Sequence, residues 1–341
     1  MNSIRSVRGN QKLGQQVVAF SLSYDKDDGA PRGLAAEHLR EALLQMARPL
    51  LRAQAAISYG GHLNPVKPPE CNFTLDLLNL IREEQQERSA GSSTVRGLYN
   101  FQAWPFYLSV NREKEAEWIN CCQIIRVTQR MAGLTKPLPD QPVDGDATQR
   151  FIHGAVCLSA MRRCMAEGCQ QEIEGAPTTP RQIPRVSARI VLGGKLGGFA
   201  GIMPGIFEEV LTARETGGGC PIFILGGFGG AAGAIAHVLL NGGVDTDPRF
   251  TPEFYAKAPE NPTKPGFTDL LKHWGHASLP PHARSPIQGF SAWRAMLKNA
   301  GTQPAAFLQN GLDDAENRRL LSTIDPTEAV RLVLRGLSNV M

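Results

Sequence analysis

Short apolar runs alternate with longer stretches of helical periodicity from Val17 to Leu240. Val17–Phe20, Ala55–Tyr59, Leu98–Trp104, Cys122–Val127, Ala188–Leu192 and Pro221–Leu225 have the length and the aromatic or β-branched content of buried strands. Between them, Leu39, Leu43, Met46 and Leu50 recur at helical spacing within 34–52. Leu77, Leu80 and Ile81 do so within Phe73–Glu87, and Phe151, Ala155, Leu158 and Met165 within Ala147–Glu167. Asn72 is placed to cap the second of these helices, and Asp146 with Gln149 to form a capping box on the third. Glu113–Asn120 reads as a short polar helix. The proline-rich stretches 62–71 and 134–145, and the stretch with Pro177, Pro180 and Pro184, read as loops. Six strands alternating with helices predict an α/β fold: a doubly wound, mostly parallel, Rossmann-like sheet.

The texture changes after Gly243. Residues 245–265 are rich in proline and charge, and short helical patterns follow at Thr268–Trp274, Ala292–Asn299, Asp313–Leu321 and Thr327–Leu337. The last is entered through Asp325-Pro326, with Glu328 placed for a capping box. These helices carry no core pattern of their own. The expected organisation is a flexible leader over 1–15, a nucleotide-binding α/β domain over 16–245, and a helical C-terminal extension over 246–341 packed on it.

Composition narrows the function classes. Hydrophobic residues make up 42% of 341 and charged residues 20%, enough core and little enough charge for a folded chain. The net charge of +4 is mild, and no basic run is dense enough to mark a nucleic-acid surface. No apolar run reaches membrane length, so neither nucleic acid nor membrane is an expected partner. The seven cysteines form no CxxC pair. With no secretory leader, reduced thiols and a cytoplasmic location are expected. His273 and His276 lack the companions of a zinc site, so no metal and no cofactor are expected.

The strand ends carry the candidate chemistry. Val17–Phe20 runs into Ser21-Leu22-Ser23, Ala55–Tyr59 into Gly60-Gly61, Ala188–Leu192 into Gly193-Gly194, and Pro221–Leu225 into Gly226-Gly227. Parallel strands joined by right-handed crossovers place these ends on one rim, where open α/β sheets bind ligands. Glycine there admits a ligand to the backbone, and the following helix offers free N–H groups to phosphate. Lys195, directly after Gly194, can add positive charge. Gly227–Ala232 matches G-x-G-x-x-A, but on the last predicted strand instead of the first, which argues against a redox Rossmann site. The pattern G-x-x-x-x-G-K-[ST] is absent, with Leu196 after Lys195, which argues against P-loop hydrolysis. Pro204-Gly205 opens a helix carrying Glu208 and Glu209. Acids near that end suit the helix dipole, and a carboxylate there can also accept from ribose hydroxyls. One of the two is expected to face the crevice and the other solvent or a partner chain.

The runs GGKLGGFAGIMPGIFEE (193–209) and PIFILGGFGGAA (221–232), with the Ser-x-Ser and SYGG strand ends and the strand YNFQAWP, resemble the SLOG superfamily. These are Rossmann-like domains related to the Lonely Guy phosphoribohydrolases and to the DNA-processing protein family. The resemblance covers roughly residues 15–243. It implies a nucleotide-directed function of one of two kinds. Some members split the N-glycosidic bond of a nucleoside monophosphate. Others bind nucleotide or NAD-derived signals, as in Thoeris defence effectors. The enzymes carry P-G-G-x-G-T-x-x-E, whereas here Pro204-Gly205 is followed by Ile206-Phe207-Glu208-Glu209. The resemblance implies that Gly193, Gly194 and Lys195 cradle phosphate, that Glu208 or Glu209 holds ribose, and that Gly226 and Gly227 floor the adjacent site.

The function expected is therefore sensing of a nucleotide or ADP-ribose-like signal in the bacterial cytosol, in a defence or stress setting. The chain would act as a homo-oligomer, with a separate effector or signal-producing enzyme as partner. The alternative is a phosphoribohydrolase or other N-glycosidase using Glu208, Glu209 and an arginine such as Arg189, a choice the residues leave open. The expected ligand-binding set is Ser21, Ser23, Gly60, Gly61, Gly193, Gly194, Lys195, Gly205, Glu208, Glu209, Gly226 and Gly227.

Overall fold

Each of the six apolar runs forms a strand in the computed structural model. The described residues are 13–14, 16–67, 70–87, 97–110, 112–143, 145–173, 176–216, 219–257 and 265–341, without the side chains of 172–173 and 176–179. The leader expected over 1–15 lies outside them apart from residues 13 and 14. The strands are β1 (Val17–Ser23), β2 (Ala56–Gly60), β3 (Leu98–Ala103), β4 (Cys122–Val127), β5 (Cys169–Ile173), β6 (Ala176–Ile183), β7 (Ala188–Gly193) and β8 (Ile222–Leu225). Helices of nine residues or more are α1 (Ala36–Arg52), α2 (Phe73–Glu87), α3 (Ala147–Glu167), α4 (Gly205–Glu215), α5 (Gly230–Asn241), α6 (Pro286–Ala300), α7 (Asp314–Ser322) and α8 (Pro326–Val340).

The main sheet has the order β4-β3-β2-β1-β7-β8, and every pairing in it is parallel. The chain winds outward from β1 to β4, then returns through α3 to lay β7 on the other side of β1. That reversal makes the β1–β7 carboxyl edge the topological switch point, where ligands of open α/β sheets bind. The fold is a doubly wound, Rossmann-like α/β fold followed by C-terminal helices.

Register sorts the side chains onto two faces. Arg189, Ala19, Ser58, Tyr99 and Gln123 stand in one row across the sheet. Alternation puts Val191, Ser21, Gly60, Phe101 and Ile125 on the same face. At its two ends this face is apolar. Phe101, Ile125 and Val127 pack under Val156, Cys157, Met161 and Met165 of α3. Val191, Ile222 and Ile224 pack under Phe207 and Val210 of α4 and Ile235 of α5. Its middle is small and polar: Ala19, Ser21, Ser58 and Gly60. The opposite face, with Phe20, Ile57, Leu98, Ile190 and Phe223, is covered by α1, α2 and α8 in a single apolar cluster.

The C-terminal helices share these cores. Phe250 stacks on Phe207 with ring centroids 4.9 Å apart, and Trp293 donates its indole N–H to the Phe207 carbonyl at 2.6 Å. Leu332, Val333 and Leu337 of α8 belong to the cluster beneath α1.

Four local expectations need correction. Asp325 caps α8 by accepting from the Thr327 N–H, but Glu328 completes no capping box, since the Asp325 N–H goes to Thr323 Oγ1. The segment with Pro177, Pro180 and Pro184 contains an antiparallel hairpin, β5–β6, outside the main sheet. Proline is tolerated there because a two-stranded ribbon has only edge strands. Asp146 precedes α3 but its side chain makes no cap hydrogen bond, whereas Asn72 accepts from the Thr74 and Leu75 N–H groups as expected. Cys164 and Cys169 are joined in a disulfide, with Cα atoms 5.2 Å apart, where free thiols were expected. The turn at Gly168, with φ +78°, folds β5 back beside the end of α3 and brings the two cysteines together.

Gly226 and Gly227 lie beneath the backbone at the end of α7. A methyl at Gly227 would fall 2.2 Å from the Thr323 carbonyl oxygen, and one at Gly226 2.4 Å from that of Leu321. Gly227→Ala should therefore destabilise the fold by about 1–3 kcal/mol, the usual cost of overpacking. Urea denaturation followed by circular dichroism measures this. An unchanged midpoint would mean that the C-terminal segment does not press on β8 as described.

Candidate functional site

Two polar constructions meet near the switch point: a rim of backbone amides at the strand ends, and a buried ionic seam under the glycine-rich stretch 193–205. The rim is built by the loops after β1, β7 and β8. Gly193 and Gly194 have φ of +62° and +99°, which favours glycine at both. The turn they make lets Ser23 Oγ accept from the Lys195 N–H at 3.0 Å. Asp25 accepts from the Leu196 N–H at 2.8 Å, and Asp28 from the Gly230 N–H, at the N-terminus of α5, at 2.6 Å. Arg32 pairs with Asp28 at 3.0 Å. Two carboxylates of the Tyr24–Gly33 loop thus occupy amides of the turns that follow β7 and β8, and both amides are of the kind that hold phosphate oxygens.

The seam lies on the α3–α4 face, in the small and polar middle of the sheet. Arg189 of β7, with no exposed surface, donates from Nη1 to Ser21 Oγ and to Glu209, both at 2.6 Å. Ser21 also donates to Glu209. Arg162 of α3 pairs with Glu208, and its Nε lies 3.9 Å from Glu209. Two arginines and two glutamates balance in charge, which is what makes their burial tolerable. Gly201 and Gly205 exist for this cluster: a methyl at either would meet the Arg162 guanidinium at 2.9 or 3.0 Å. The glycine-rich stretch therefore closes over an arginine. Arg189 Nε and Nη2, Arg162 Nε and Ser58 Oγ are buried without a hydrogen-bond partner among the described residues.

The residues singled out in the sequence fall into three places. Ser23, Gly193, Gly194 and Lys195 line the β1–β7 edge. Lys195 is exposed, and nothing among the described residues engages its ammonium. Ser21, Gly205, Glu208, Glu209 and Arg189 belong to the seam. Neither glutamate is turned to solvent or to a partner chain, as one of them was expected to be. Glu208 faces Arg162 on α3, Glu209 faces Ser21 and Arg189 on the sheet, and both directions are interior because α4 is covered on two sides. Gly60 and Gly61 end β2, where Gly60 packs on Met161 and Gly61 on Tyr59 and Thr74. Gly226 and Gly227 are the pair beneath the C-terminal backbone.

Arg162 was not singled out from the sequence. Its signal was the progression Phe151, Ala155, Leu158, Met165, whose missing step is position 162. Also unforeseen is a latch at the ends of β3 and β4. Gln129 binds both backbone groups of Leu138, and the buried His153 sits 3.0 Å from its Oε1. Trp104 donates to Asp140 in the same loop at 3.0 Å. Burial pushes the His153 pKa down. Among the described residues, no group of three or more His, Cys, Asp or Glu is placed to hold a metal. Nor is any helix among them long and apolar enough to cross a membrane.

A parallel sheet reversing at β1–β7, with glycine-ended strands and amides turned to the edge, defines a Rossmann-like class of α/β protein. A family model described as SLOG cluster2 matches residues 12–174 and 180–320, and the chain belongs to that family within the SLOG superfamily. Of the unmatched residues, 176–179 lie in β6. No curated protein matches the chain. Membership points to a nucleotide-related function.

The seam and the latch each make a prediction. Arg162→Met should destabilise by about 3–5 kcal/mol because Glu208 is left buried and unpaired, and adding Glu208→Leu should restore most of that loss. Denaturant titration of both variants measures it. Equal losses in the single and double variants would show that the pair is not coupled. Because folding lowers the His153 pKa, the unfolded chain binds the proton first. The stability this histidine contributes is present above its ordinary pKa of about 6.5 and is lost as pH falls below it. His153→Gln should therefore flatten the fall in melting temperature from about pH 6.5 to 5. Parallel pH profiles of the two proteins would contradict this.

Proposed function

We propose that the chain binds a nucleotide-derived ligand of the NAD or ADP-ribose kind at the β1–β7 carboxyl edge, and acts as a sensor and not as a hydrolase. The observation that carries this reading is the pair of aspartates at the rim. Asp25 and Asp28 sit on the Leu196 and Gly230 amides, in the turns that follow β7 and β8. Two anionic groups held by backbone amides form the pattern that a pyrophosphate would take over, with Lys195 adding charge. Gly197 and Gly198 beside them have open space where a side chain would stand.

The seam supports binding over turnover. An N-glycosidase needs a carboxylate able to face a developing oxocarbenium ion. Glu208 and Glu209 are instead held by Arg162 and by Arg189 with Ser21. A sensor of this design passes its signal on by assembly into homo-oligomers or through a separate effector, and a cytosolic defence system is the setting that the resemblance to signal-binding SLOG domains suggests.

Incubation with AMP, NAD and ADP-ribose, followed by thermal shift for binding and chromatography for products, tests the reading. NAD or ADP-ribose should raise the melting temperature and be recovered intact. Release of a free base would replace the sensor by the N-glycosidase. Lys195→Ala should weaken binding about tenfold with an unchanged melting temperature of the free protein. Asp28→Asn should tighten it about three- to tenfold, since a like charge beside the incoming phosphate is removed. Unaltered affinity in both variants would move the ligand away from this edge.

A further inference from the structure

The β5–β6 hairpin stands outside the main sheet, and a two-stranded ribbon by itself is only marginally stable in water. Its hold on the rest of the protein is concentrated at its base. Cys169, the first residue of β5, stands in register with Ile183, the last of β6. Ile183 is buried in the apolar cluster around α3. Cys169 is bonded to Cys164 of α3. Two residues on, Gln171 donates to the carbonyl of Ile124 at 3.1 Å. Ile124 belongs to β4, an outer strand of the main sheet, so this bond covers a backbone group on an open edge.

Two features set this disulfide apart from a permanent staple. It joins residues only five positions apart, and closing so short a loop restricts the unfolded chain less than a long-range bridge does. Cys169 is half-buried, within reach of a thiolate from solvent, whereas Cys164 is enclosed. Bridges exposed in this way are the ones that exchange. Cys157 lies in the same apolar cluster as Cys164, but burial pushes its thiol up to about 12, so it stays protonated and does not compete for the bridge.

We propose that Cys164 and Cys169 form a thiol–disulfide switch that holds β5 against α3 when oxidised and frees it when a dithiol reductant acts on the bridge. One thiolate of the dithiol attacks Cys169 Sγ, and Cys164 Sγ leaves and takes up a proton. The second thiol of the reductant attacks its own sulfur in the mixed disulfide, and Cys169 Sγ leaves and is protonated in turn. Two electrons and two protons pass from the dithiol to the pair, and the reductant departs as its disulfide. With β5 freed, Gln171 no longer covers Ile124, and the outer edge of β4 is open to another strand. The switch does not rest on the nucleotide reading.

The test equilibrates the full chain in dithiothreitol buffers from fully oxidised to fully reduced, followed by alkylation and peptide mass spectrometry. Cys164 and Cys169 should change together as one two-electron couple, while Cys71, Cys121, Cys122, Cys157 and Cys220 remain thiols throughout. Amide hydrogen exchange over 169–171 and 181–183 should speed up about tenfold on reduction, with β1 and β7 unchanged. Cys169→Ser should exchange like the reduced protein in either buffer. A pair that keeps one state across the whole series would overturn the proposal. So would equal exchange of the hairpin in the two states, or a Cys169→Ser protein whose hairpin still responds to dithiothreitol.

Discussion

The structure depends on burying four charges at the middle of its sheet. A doubly wound sheet needs helices on both faces, and over β1 and β2 the α3–α4 face offers Ala19, Ser21, Ser58 and Gly60 in place of bulky apolar side chains. Arg162, Arg189, Glu208 and Glu209 fill that space. Each arginine is tolerable only because a glutamate meets it, and each glutamate is brought there by the helix that begins at Gly205. The glycine-rich approach to that helix is shaped by the same cluster, since Gly201 and Gly205 lie against the Arg162 guanidinium. Sheet, helix entry and glycine-rich loop are thus set by one neutral ionic group.

The same glycine signature serves three physical purposes. At Gly193 and Gly194 it permits positive φ and turns the backbone back toward Ser23. At Gly201 and Gly205 it makes room for an arginine, and at Gly226 and Gly227 it admits the backbone of the C-terminal segment. Glycines at strand ends look alike in a sequence, because what excludes a side chain there comes from elsewhere in the chain. The proposed ligand site draws on the first of these turns and on the aspartates Asp25 and Asp28.

The sheet was legible because its six strands are short runs dominated by apolar, aromatic and β-branched residues, bounded by turn residues and separated by helical patterns. The β5–β6 hairpin was not, since its prolines carry the signature of a loop and only its position outside the main sheet makes them acceptable. Residues of the seam could be named one by one, Glu208 and Glu209 from the helix start and Arg189 from its strand. Ser21 could be named from its strand end, but Arg162 could not, because beside Arg163 it reads as a charged helix surface. Only the vacant step in the Phe151–Met165 progression shows that this arginine points inward. The aspartates at the rim were hidden for a similar reason: Tyr24–Gly33 has the composition of a solvated loop, and its contact with Gly230 spans two hundred residues.

Backbone amide shifts measured by NMR during titration with ADP-ribose test most directly whether the β1–β7 edge is a ligand site. A phosphate taking the place of Asp25 and Asp28 must change the hydrogen bonds of the Leu196 and Gly230 amides. Saturable shifts of both resonances, larger than those of residues along α3 and α4, are the result expected. Binding that leaves these two amides unmoved would contradict a site at the switch point.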